Sequence, residues 1–112
     1  MKVTIGTYGS DRRYGIRVGL QNVLDCFEGQ PWINTSGDTV IKIILGGKSH
    51  SLKITPKFWP QNNGKCHEIR DQKPFELKKW LLKNNLGTWQ SKHPPKLHLL
   101  HIDTNKFELL TM

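Results

Sequence analysis

The feature that most narrows the fold is Gly46-Gly47, set between two β-rich runs, Thr39–Leu45 and Lys48–Ile54. Adjacent glycines supply the positive φ values that a two-residue hairpin turn requires, so the two runs read as antiparallel partners. The turn sets Ile43 opposite His50, Ile41 opposite Leu52 and Thr39 opposite Ile54 on one face. Lys42, Ser49, Ser51 and Lys53 fall on the other face with Val40 and Ile44, so that face is only partly wetted.

Further strands flank this hairpin. Lys2–Tyr8 alternates Val3 and Ile5 with polar residues, the period of a half-buried strand, and ends at Gly9-Ser10-Asp11. Arg12, Arg13 and Arg17 then surround Tyr14-Gly15-Ile16, a candidate second strand, before Leu20, Val23, Leu24 and Phe27 recur at the spacing of one helix face and stop at Gly29. Residues 29–38 are rich in turn formers and read as a surface connection from which Trp32 folds back onto the core.

Residues 55–73 contain Pro56, Pro60, Asn62, Asn63 and Gly64, and read as a long loop. Pro74 suits the first turn of a helix over residues 75–86, closed by Gly87, with Leu77, Trp80 and Leu81 on one stripe and Phe75, Leu82 and Leu86 on another. After Pro94-Pro95, residues 97–102 and 107–110 suggest a second hairpin with His101 opposite Glu108. The order predicts an α+β fold, one small domain over residues 1–112 built on a mainly antiparallel curved sheet or partly open barrel with two helices.

The 112 residues carry 17 Lys and Arg against 9 Asp and Glu, a formal charge of +8, and therefore a positive field that attracts polyanions. Nucleic acid is the expected partner, DNA ahead of RNA. An acidic protein partner is the alternative, because a positive surface does not distinguish carboxylate from phosphate. No apolar run approaches a membrane span or a signal sequence, which predicts no membrane partner and a cytoplasmic location. Cys26 and Cys66 lack a CxxC arrangement and read as reduced thiols.

Cations and aromatics interleave in two segments, and such mixtures neutralise phosphates while stacking bases. The residues expected to bind nucleic acid are Arg12, Arg13, Tyr14 and Arg17 in the first segment, and Lys53, Lys57, Trp59, Asn62, Asn63 and Lys65 in the second. The arginines clamp phosphates, while Asn and Gln side chains of the long loop supply base contacts. The competing reading makes Tyr14, Phe58 and Trp59 core anchors with their charged neighbours turned to solvent.

Catalytic and metal signals are weak. Cys66-His67 with His98 and His101 lacks the spacing of a zinc clamp, so no metal and no cofactor is predicted. Glu76-Leu77-Lys78 resembles the Glu-x-Lys triplet of restriction-type nucleases, with Asp38 or Asp71 as a metal partner, but falls in a predicted helix where that family uses a strand. A metal-free ribonuclease would draw on His50, His67 or His101, which show no convergent spacing. The sequence names no catalytic residue and points away from an enzyme, with a small nuclease or nuclease-associated domain as the alternative.

Overall fold

The computed structural model describes residues 1–8, 13–64, 67–90 and 92–111. Among the described residues seven strands form one sheet: β1 (Lys2–Tyr8), β2 (Arg13–Arg17), β3 (Thr39–Leu45), β4 (Lys48–Ile54), β5 (Glu68–Arg70), β6 (Lys96–Asp103) and β7 (Lys106–Thr111). Their order across the sheet is β4-β3-β7-β6-β1-β2-β5, and the sheet curls until it is nearly closed into a barrel. The fold is α+β with strands dominant, as expected. Its pairings are antiparallel apart from β3 with β7, which run parallel.

The Gly46-Gly47 hairpin has the register its turn dictates: Ile43 faces His50, Ile41 faces Leu52 and Thr39 faces Ile54. Both glycines take positive φ, 57° and 87°. Thr39, Ile41, Ile43 and Leu45 point into the barrel, while Lys42 and Val40 face outward. The centre of the barrel is aromatic. Phe27 stacks on Phe107 with centroids 5.1 Å apart, and Phe58 and Trp59 pack beside them. Trp32 folds back against this cluster, as its place in a turn-rich connection suggested.

The first helical segment departs from its expected face. It opens as one α-turn, α1 (Leu20–Asn22), and continues as a π-helix over Val23–Phe27, with the Glu28 amide donating to the Val23 carbonyl at 3.0 Å. The wider winding brings Val23 and Phe27 into the core and leaves Leu20 and Leu24 exposed.

The second helix, α2 (Glu76–Lys83), is shorter than the span of residues 75–86, and Pro74 lies ahead of its first turn. Phe75 takes a left-handed conformation just before α2, so the helix cannot begin there. Leu77 and Leu81 are buried and Leu86 packs against the core beyond the helix, but Leu82 is exposed, so the second expected stripe is covered only in part. Residues 55–73 are also more ordered than a plain loop. Pro56 and Pro60 each start a 3-10 turn, and Glu68–Arg70 pairs with β2 through Gly15 with Arg70, Ile16 with Ile69 and Arg17 with Glu68.

The last hairpin is offset by one residue from the expected pairing. His101 faces Phe107 and Leu100 faces Glu108, because the ladder is irregular between His101 and Asp103. The His101 ring stacks on Phe107 at 4.7 Å instead of pairing with Glu108.

A candidate nucleic-acid interface at the barrel seam

The barrel fails to close between β4 and β5, and a side chain stands in for the missing ladder. The Lys53 amide donates to Gln72 Oε1 at 3.2 Å, and Gln72 Nε2 donates to the Lys53 carbonyl at 3.0 Å. A primary amide carries the donor and acceptor of a peptide group, so Gln72 satisfies one residue of an edge strand as a neighbouring strand would.

Beside this bridge lies a cleft of about 270 Å³, walled by Arg13, Lys53, Thr55, Lys57, Glu68, Arg70, Asp71 and Gln72. Three chain segments meet there. Arg13 opens β2, Lys53 projects from β4 with Lys57 on the turn beyond it, and Arg70 ends β5 opposite Gly15.

The two carboxylates among the described residues of the cleft are engaged within the fold. Glu68 accepts from Arg17 Nε at 2.6 Å and stands 4.0 Å from Arg70 Nε. Asp71 is 4% exposed and accepts from the Gln72, Leu77 and Lys78 amides at 3.0, 3.3 and 2.9 Å. It thereby secures the first turn of α2, whose leading amides have no partner within the helix. Burial pushes the Asp71 carboxyl above its ordinary value, against the opposing pull of the three amide bonds. Among the described residues no carboxylate pairs with Lys53 or Lys57. Counting Arg17, five cations surround two carboxylates among the described residues, an excess of positive charge at the cleft.

The structure thus brings Arg13, Lys53 and Lys57 together, with Arg17 next to them on Glu68. It places two other expected contact residues elsewhere. Tyr14 is 3% exposed and donates its hydroxyl to the Gly87 carbonyl at 2.6 Å, and Trp59 is 1% exposed. Both are core anchors, because Tyr14 alternates inward from Arg13 on β2 and Trp59 packs between two proline-led turns. Asn62 spends its amide on the Thr35 and Pro56 carbonyls, whereas Asn63 is exposed in a left-handed conformation at the turn's end. Arg12, Lys65, Cys66 and the Gly9-Ser10-Asp11 turn lie outside the described residues.

Sequence reasoning missed Arg70 and Gln72. The only local signal was the polar-apolar-polar alternation of Glu68-Ile69-Arg70, too short to outweigh the prolines and glycine upstream.

Among the described residues no three His, Cys, Asp or Glu side chains are grouped as metal ligands. Glu76 sits on a helix, as expected, and lies 3.5 Å from Lys79. Among the described residues no helix is long and apolar enough to cross a membrane. Compared with protein-family models, curated proteins and solved structures, the chain matches none.

Proposed function

We propose that the chain is a nucleic-acid-binding module that grips the phosphate backbone of a DNA duplex in the β4–β5 seam. The observation that carries this reading is the meeting of Arg13, Lys53, Lys57 and Arg70 around one cleft whose carboxylates are engaged within the fold. Guanidinium groups match phosphate geometry with paired donors, and ammonium groups add point charge.

The burial of Tyr14, Phe58 and Trp59 favours a duplex over a single strand, since single-strand binders need exposed rings on which bases stack. The exposed Gln61 and Asn63, on the proline-led turn that follows Lys57 in the chain, favour DNA, whose major groove admits amide side chains that an A-form groove excludes. No residue is assigned a catalytic role.

Titration of labelled duplex and single-stranded oligonucleotides at several salt concentrations tests this. Duplex binding should weaken steeply with salt, and Lys53→Gln with Lys57→Gln should make the log-log slope shallower by about 0.9 for each phosphate contact removed. An absence of duplex binding near physiological salt overturns the reading.

A further inference from the structure

We infer that the polyanion path does not stop at the seam but runs on along the open edge of β4 to the exposed side of α2. This rests on the reading of the seam as a nucleic-acid cleft, and adds a second set of contacts and a footprint.

Three hollows adjoin. The seam cleft shares Gln72 with a second hollow of about 330 Å³ walled by β4 and the segment leading into α2. The second shares His50 and Glu76 with a third, of about 150 Å³, where Lys48, Lys79 and Lys83 meet over the half-buried Trp80. Lys73 stands on the wall of the second hollow. Glu76 is the one carboxylate among the described residues lining these two hollows, and Lys79 lies 3.5 Å from it.

The backbone of β4 supplies a second kind of donor. Lys42 on β3 turns its amide to the Asn105 carbonyl, away from β4, so its partner Ser51 must turn its own amide away from β3. Alternate residues repeat that direction, and Lys53 confirms it by bonding Gln72 across the seam. Ser49 and Ser51 therefore aim their amides at the open edge, and both side chains are exposed. Backbone amides, hydroxyls and ammonium groups along one strip form a donor set suited to phosphate oxygens.

Its length is fixed by the strand. From Lys53 to Lys48 is five residues, about 17 Å of antiparallel strand at ~3.4 Å each. A duplex rises by the same ~3.4 Å per base pair, so the strip adds about five base pairs to the footprint.

The test compares two triple variants of equal net charge on duplexes of about 6 to 16 base pairs. One is Lys48→Gln, Lys79→Gln and Lys83→Gln, along the strip. The other is Lys2→Gln, Lys92→Gln and Lys96→Gln, exposed and outside the walls of the three hollows. The strip variant should make the salt slope shallower by about 2 to 3 and should stop gaining affinity with length about five base pairs earlier than the unaltered chain. The other variant should retain most of both.

Equal effects of the two triples reduce the strip to net charge and overturn the inference, as does a strip variant with unaltered slope and length dependence. The seam reading survives either result, and falls only if the unaltered chain binds no duplex. Ser49 and Ser51 amides protected from exchange by an extended peptide and not by a duplex would also overturn it, assigning the edge to strand addition.

Discussion

The barrel has two contrasting sides. Across its middle strands, β3, β7, β6 and β1 are joined by backbone ladders, and the residues they turn inward, Ile43, Phe107, Leu99 and Val3, are all buried. Their outer face exposes Leu100, Ile102 and Leu110. Across the seam the ladder is replaced by Gln72, and charged groups line the gap. Backbone pairing and apolar burial act together on one side, while on the other the backbone is held by a side chain and its charges stay accessible. Stability is thus invested mainly in the wall, leaving the charged groups of the seam exposed to solvent.

The strongest way to break this contrast is Phe107→Ala. Phe107 is fully buried and touches Phe27, Trp32 and His101, so truncation should cost about 3–5 kcal/mol through the cavity it leaves. That is a large part of the roughly 5–15 kcal/mol holding a domain of this size, and urea denaturation should show it as a large fall in midpoint.

Asp71→Asn probes the junction of seam and helix. It replaces the oxygen facing the Lys78 amide with a donor, and should cost about 1–2 kcal/mol. It should also change the pH profile. Burial raises the Asp71 pKa, so the folded chain keeps this proton at pH values where the unfolded chain, at 3.8, has lost it. Its contribution to stability is therefore full below about 3.8 and declines as pH rises through the raised value. Urea midpoints across acidic pH should show this decline in the unaltered chain and lose it in the variant.

The smallest expected effect sharpens the comparison most. Gln72→Ala removes two partly solvated hydrogen bonds, and should cost about 1 kcal/mol or less. Amide exchange should nevertheless accelerate at Lys53 while Leu99 and Leu109 on the wall stay protected. Equal acceleration on both sides would show that the seam and the wall open together.

Much of the wall was legible because its signals are local. The Gly46-Gly47 turn set the register of β3 and β4, and alternation located β1, β6 and β7. The one-residue error at His101 arose because a ladder irregularity beside Asp103 leaves no mark in composition. Half of the seam could be read as well, since Arg13, Lys53 and Lys57 stand out as cations in polar segments. Tyr14 and Trp59 misled for the same reason: an aromatic beside a cation reads alike whether the ring is buried or bare, and only packing separates the two.

The sequence by itself determined a basic α+β domain with its central hairpin in register, since charge is additive and a two-residue turn acts over neighbouring residues. Only the tertiary structure decided that β5 exists, that it lies beside β2, and that Arg70 and Gln72 consequently meet Lys53 and Lys57. Three residues of strand have too little local preference to form alone. Their partner comes from about fifty positions away in the chain, and closing that distance is favoured only once Ile69 has a core to enter.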